Sequence, residues 1–167
     1  MQALGERGFL ATEFNNVLVK PLEGSAANSA PRARRASPDE SELWSQTVGE
    51  GFFEQAELTG EEMDVGRAVF SMAGTLCYLA ATESGETGGG AALTVREGLA
   101  ILFADGVMAR FRRQGLHREL ISARLNDAVA QGCDLATAST LPGSPSQRNY
   151  ERAGFQVAYT KVTLVRG

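Results

Sequence analysis

Arg112-Arg113-Gln114-Gly115-Leu116-His117 stands between two patterns of different period, and its reading decides the fold. Ahead of it, Leu99-Ala100-Ile101-Leu102-Phe103 carries enough branched and aromatic residues for a buried strand. Behind it, Leu116, Leu120, Ile121, Leu125, Ala128 and Val129 recur at helical spacing. A strand, a short basic loop with one glycine and then a helix can hold a pyrophosphate. The first helical turn leaves four N–H groups unpaired and carries partial positive charge, and both favour an anion. Glycine lets the backbone come close, and the arginines add long-range attraction. Taken alone, the loop also reads as a solvated strand–helix connection.

Outward from this centre, turn and cap signals divide the chain. Toward the N-terminus, Leu99 to about Met108 is the third strand of a meander, after Thr75–Thr82 and Gly90–Arg96. Asp105-Gly106 inside it suggests a bulge or a close backbone approach. Thr59 and Glu62 form a capping box for a helix through Met63, Val65, Ala68, Val69 and Phe70, closed by Gly74. Ser37-Pro38-Asp39-Glu40 starts an earlier helix that runs to about Gly49 and buries Leu43, Trp44, Thr47 and Val48. Arg32–Ala36 reads as a short edge strand. Residues 23–30 are a small, polar linker. Residues 1–22 stand apart: Gly8 is a left-handed helix cap, and Glu13–Lys20 is a strand closed by Pro21.

Toward the C-terminus, Gln131-Gly132 stops the central helix, and Cys133–Ser139 is a strand of small residues that leaves room for something to lie against it. Ser144-Pro145-Ser146-Gln147 caps a short helix ending at Gly154, and Phe155–Val165 is the last strand. This order gives an α/β domain over 31–167, with a mixed central sheet, an antiparallel meander in its middle and helices on both faces.

Composition narrows the function. The 167 residues are 43% hydrophobic and 22% charged with net charge −4, which suits a globular chain with one domain's core. No apolar run approaches the ~18 residues of a membrane span, and the N-terminus lacks a secretory layout, which points to the cytoplasm and away from membranes. Two cysteines, Cys77 and Cys133, and one histidine, His117, make a metal site improbable; the cysteines read as small core residues. From Ser37 to Glu97 twelve acids face only Arg67 and Arg96, whereas Arg110 to Arg152 holds seven arginines against four acids. The basic half suits a polyanionic cofactor. The acidic half would attract a cationic substrate, or is a solvated face. Nucleic-acid binding is disfavoured by the charge and by the lack of aromatic–basic interleaving.

The element order and the loop resemble the GCN5-related N-acetyltransferase (GNAT) superfamily. The family's central motif is Arg or Gln, two residues, Gly, one residue, then Gly or Ala. Arg112 and Gly115 match it, His117 stands where the small residue is usual, and Ala109 replaces a common proline. Independently, Tyr150-Glu151-Arg152-Ala153-Gly154-Phe155 reproduces the family's aromatic, three residues, Gly-Phe ending. Leu4–Lys20 echoes Tyr150–Leu164, so residues 1–22 look like the tail of a preceding acetyltransferase-like unit. The family closes its sheet with two strands after Gly-Phe. The expectation is that Glu13–Lys20 supplies the second, in this chain or a neighbouring one.

The resemblance implies acetyl transfer from acetyl-CoA to a primary amine of a small molecule or peptide by direct attack, without a metal or a covalent enzyme intermediate. It places the pantetheine arm between Asp105–Ala109 and Leu135–Ser139, hydrogen-bonded by the backbone of Val107 and Met108. The N–H groups of Arg113, Gln114, Gly115, Leu116, His117 and Arg118 take the pyrophosphate; Arg112 and Arg113 add charge, Arg112 turned inward. Tyr150 protonates the departing thiolate, a task suited to a phenol of pKa near ~10. Asp105, Glu54 and Glu57 are candidate bases acting through water, and Asn149 reads as a helix or loop anchor. Two other readings stand beside this one: a non-catalytic acyl-CoA-binding or assembly module of the same fold, and a stand-alone fragment that forms a homodimer through an exposed surface.

Overall fold

The computed structural model describes residues 6–22 and 29–167, so most of the expected linker at 23–30 lies outside the described residues. The chain divides into two compact units: residues 21–136, and residues 1–20 together with 137–167.

The larger unit carries β2 (Ala33–Arg35), α1 (Ser41–Phe53), α2 (Gly60–Phe70), β3 (Thr75–Ala81), β4 (Thr87–Arg96), β5 (Leu99–Val107) and α3 (Leu116–Ala130). Its strands run antiparallel in the order β2-β3-β4-β5, the meander expected from the turn signals. The glycine run of β4 shows how the layers stack. A Cβ on Gly89 would meet Leu120 of α3, and one on Gly90 would meet Val48 and Trp44 of α1. Successive strand residues point to opposite faces, so α3 covers one side and α1 the other. On the α1 side Trp44, Cys77, Leu79 and Ala92 form a buried cluster against Val48, Phe70 and Phe103. The Trp44 indole N–H donates to Ala91 O at 3.1 Å, so its one polar group is satisfied.

The cap signals are realised: Thr59 and Glu62 form the reciprocal box at the start of α2. A 3-10 turn at Pro38–Glu40 precedes α1. Two expectations need correction. First, α1 does not stop at Gly49 but runs to Phe53. A Cβ at Gly51 would lie 2.4 Å from Val107 N, so glycine lets the helix backbone press onto the end of β5, and that packing outweighs its low helix propensity. Second, Leu43 is 41% exposed rather than core, the buried face of α1 being Trp44, Ser45, Thr47 and Gly49.

The bulge in β5 is present one residue earlier than Asp105-Gly106 suggests. Pairing slips between Gly90↔Gly106 and Ala92↔Phe103, and Ala104 takes a left-handed φ of 53°. Gly106 beyond it lies under α1, where a Cβ would sit 2.5 Å from Val48 O.

The smaller unit holds β1 (Phe9–Pro21), most of β6 (Leu135–Thr140), α4 (Pro145–Arg152) and β7 (Gln156–Arg166). Its strand order is β6-β1-β7, so the N-terminal strand is inserted between two C-terminal ones. β1 and β7 pair antiparallel from Phe9↔Arg166 to Val19↔Gln156, and Thr137 Oγ1 donates to Leu18 O at 2.9 Å. The two echoing segments thus pair with each other, each opening on a left-handed glycine, Gly8 at φ 77° and Gly154 at φ 92°. At α4 the cap is only half the expected box: Ser144 Oγ accepts from Gln147 N at 3.1 Å, while Gln147 Oε1 accepts from Gly143 N at 2.8 Å.

Candidate functional site

The loop between β5 and α3 is built on two residues with left-handed backbone. After a 3-10 turn at Ala109–Phe111, Arg112 is extended, Arg113 has φ 64° and Gly115 has φ 82° as the N-cap of α3. Among the described residues no backbone carbonyl accepts from the N–H groups of Gly115, Leu116 or Arg118. The helix start therefore presents several donors and its positive dipole end. Arg113, Gln114 and Arg118 are exposed, and Leu116 anchors the turn with a side chain only 1% exposed. Beside the loop lies a surface cavity of about 400 Å³ lined by Arg32, Thr82, Glu83, Ser84 and Gln114. Arg32 Nη2 is 3.3 Å from Glu119 Oε1, which offsets an acid in the first turn of α3.

Arg112 does not face the loop. Its Nε donates to Val107 O at 3.3 Å, its Nη2 donates to Gly51 O at 3.2 Å, and its Nη1 is 2.8 Å from Glu54 Oε1. Arg112 thus ties the end of α1 to the end of β5 and is not the inward cation of the loop.

Val107 and Met108 have different free capacity. The Met108 N–H donates to Gly88 O at 3.0 Å, and its carbonyl accepts from Phe111 N at 2.9 Å. This bond spans the Gly89↔Val107 pair in the manner of a non-hydrogen-bonded antiparallel pair, so the N–H and C=O of Val107 face away from β4. A bond from Met108 to a cofactor arm would have to use the second lone pair of its carbonyl.

His117 and Asp105 sit together behind the loop. His117 Nε2 is 3.2 Å from Asp105 Oδ1, and the same oxygen accepts from Nη2 of Arg124, a fully buried side chain. Arg124 also donates to Leu120 O at 3.0 Å, Ala92 O at 3.1 Å and Phe103 O at 3.4 Å. Burial opposes charge on Asp105, but the Arg124 charge and the His117 contact outweigh it and hold the carboxyl below the usual range. A carboxylate committed in this way is a poor proton acceptor. Arg124 is missed by the reading of the sequence, although its place as a cation inside the apolar stripe of α3 is a signal for it; the partners of Arg32 carry no local signal.

The acids of the N-terminal half are also largely engaged. Glu50 pairs with Arg110 at 2.7 Å, Glu54 with Arg112, and Glu42 and Asp64 with Arg67 at 2.7 Å. Glu62 closes the α2 cap, and Glu57 is exposed. The charge available to a cationic acceptor is therefore smaller than the residue count implies.

In the smaller unit Tyr150 lies on α4 with its ring 1% exposed, edge to face with Phe155. Asn149 Oδ1 accepts from Arg152 Nη1 at 3.1 Å, consistent with an anchoring role on the helix. Among the described residues no group of three His, Cys, Asp or Glu side chains could hold a metal, and no helix is long and apolar enough to cross a membrane.

A meander covered on both faces, a phosphate-type loop opening the central helix and an aromatic-to-Gly-Phe ending define an α/β domain with the acetyltransferase fold. The acetyltransferase (GNAT) family model matches residues 36–155, and the chain belongs to that family. A GCN5-related N-acetyltransferase from Kribbella flavida is similar with a TM-score of 0.72 and 21% identity, over 98% of this chain and 62% of the other. One from Sphaerobacter thermophilus gives 0.72 and 19%, over 99% and 56%. The chain thus spans about three fifths of the length of these relatives. A structure of AAC(6')-Iy in complex with the bisubstrate analogue CoA-S-monomethyl-acetylneamine gives 0.62 and 19%, over 81% and 96%. No curated protein sequence matches the chain.

Proposed function

We propose that the protein is a cytoplasmic, acetyl-CoA-dependent N-acetyltransferase acting on a primary amine of a small molecule or peptide. The observation that carries this reading is the start of α3, where among the described residues no backbone carbonyl accepts from the N–H groups of Gly115, Leu116 and Arg118, beside the left-handed turn at Arg113 and Gly115. Those groups are suited to a pyrophosphate, with Arg113 and Arg118 adding charge. The outward N–H of Val107, and the lone pair of its C=O that Arg112 leaves open, would take the amide of a pantetheine arm as an added strand does. AAC(6')-Iy, seen with a CoA-containing analogue, lends support by its shared fold.

Acetyl-CoA bound there supplies the acetyl group that the amine takes by direct attack. Tyr150 is the residue expected to hold the proton that the departing thiolate needs. Asp105 is set aside as the base because Arg124 and His117 hold its charge. Neither cysteine has a part, and both are buried.

Isothermal titration with acetyl-CoA, followed by a thiol-release assay over a panel of amines, tests the reading. Saturable binding with amine-dependent release of CoA is expected. Binding without release on any amine would instead mark a non-catalytic acyl-CoA-binding module, and no binding would overturn both.

A further inference from the structure

His117 occupies the motif position where the family resemblance calls for a small residue, yet its imidazole does not obstruct the loop. It turns behind the first turn of α3, with the side chain 13% exposed and Nε2 3.2 Å from Asp105 Oδ1. Asp105 lies on β5 two residues before Val107. Arg124, seven residues after His117 and on the same stripe of α3, fixes Asp105 from the other side and holds the carbonyls of Ala92 and Phe103 where the strand bulges. In the loop in front, Arg112 is tied to Val107 O, Gly51 O and Glu54 at the end of β5, on the side away from α3. Arg113 and Gly115, between Arg112 and α3, are left-handed and exposed.

We propose that His117 is a positioning residue that locks the start of α3 to β5, fixing the pyrophosphate-binding amides relative to the arm-binding Val107. The inference rests on the acetyl-CoA reading above and deepens it. The two sets of donors belong to different elements joined by a strained, exposed turn. A ligand that engages both at once gains full affinity only if their separation is set before it arrives. The contact between the imidazole and Asp105 supplies that setting, and the Asp105–Arg124 pair gives it a rigid base. A small residue at 117 would leave Asp105 to Arg124 and free the first turn of α3 to shift.

The test compares wild type, His117→Ala and His117→Gln, whose amide can reach Asp105 with a polar N–H group. Each is titrated with CoA, which would span both sets of donors, and with adenosine 3′,5′-bisphosphate, which lacks the arm. Folding of each variant is checked by its thermal midpoint. His117→Ala is expected to weaken CoA about tenfold while changing the bisphosphate by less than about twofold, and His117→Gln to restore most of the loss. Equal weakening of both ligands, unchanged or tighter CoA binding by His117→Ala, or no recovery in His117→Gln would overturn the proposal. Failure of the wild type to bind CoA would overturn the acetyl-CoA reading itself and this proposal with it. That outcome is distinguishable because it appears before any variant is made.

Discussion

Tyr150 and Phe155 meet edge to face, with ring centroids 5.0 Å apart and planes inclined at 79°. The ring of Tyr150 is thereby a packing element of the smaller unit, whatever its hydroxyl does. Tyr150→Phe keeps the ring and removes only the oxygen. It should change stability by no more than about 1–1.5 kcal/mol in urea unfolding. If Tyr150 is the proton donor, turnover in the CoA-release assay falls by about 10²-fold or more with acetyl-CoA affinity nearly unchanged. A loss of affinity with normal turnover per bound cofactor would remove the general-acid role.

Arg124 is wholly buried and its charge is met by Asp105. Arg124→Met would leave the carboxylate without its main counter-charge and should cost about 3–5 kcal/mol. Adding Asp105→Asn should recover part of that loss, and a double-mutant cycle by urea unfolding measures the coupling.

Gly51 and Gly106 let α1 lie on the end of β5, with virtual Cβ positions 2.4 Å from Val107 N and 2.5 Å from Val48 O. The atoms met are backbone and cannot swing aside. Alanine at either site should destabilise by about 1–3 kcal/mol through overpacking. Chemical denaturation of each variant, with far-UV circular dichroism to confirm the helix, checks this.

Glu40 accepts two bonds of 2.6 Å from Arg34 and one of 2.8 Å from Ser37 N. The Arg34 guanidinium, aided by that backbone N–H, lowers its carboxyl to about 2. A carboxyl lowered by folding adds stability above its unfolded value, and that stability is lost as pH falls through the folded value. The Glu40 contribution should therefore be complete above about 4.5 and disappear toward about 2. Glu40→Gln should flatten this acid limb in a series of urea midpoints against pH, with the limbs from Asp105 and Asp127, both also lowered, remaining.

Burial pushes the Cys77 thiol up to about 12 and raises that of Cys133 as well. Neither should react with iodoacetamide at neutral pH while the protein is folded, and both should do so in urea. Mass spectrometry of the two samples decides it.

The sequence displays best what is decided within a few residues. The box at Thr59 and Glu62, the left-handed glycines at 8 and 154 and the strand–loop–helix around Gly115 all rest on local geometry, so residue types and spacing suffice. The echo between Leu4–Lys20 and Tyr150–Leu164 even showed that the N-terminal segment is a strand of the same kind. Long-range partners were another matter. Nothing local says that Arg112 would reach Glu54 and Gly51 rather than face the loop, or that Met108 would spend its amide on Gly88. Gly49 read as a stop because glycine weakens helices, but the neighbouring strand, absent from any window of sequence, rewards the missing side chain at Gly51. The bulky histidine at 117 is the same kind of case, its acceptance depending on Asp105 across the strand.

The insertion of β1 between β6 and β7 bears on how the protein is made. β1 has as neighbours β6 and β7, from which the larger unit separates it in sequence, and Gly8 O accepts from the amide of Gly167 at 3.1 Å. Everything belonging to the larger unit is synthesised in between. These contacts have the highest sequence separation among the described residues, and closing such a loop is entropically late. The larger unit can complete its meander during translation, whereas the smaller one holds an unpaired β1 in reserve until β6 and β7 have been made.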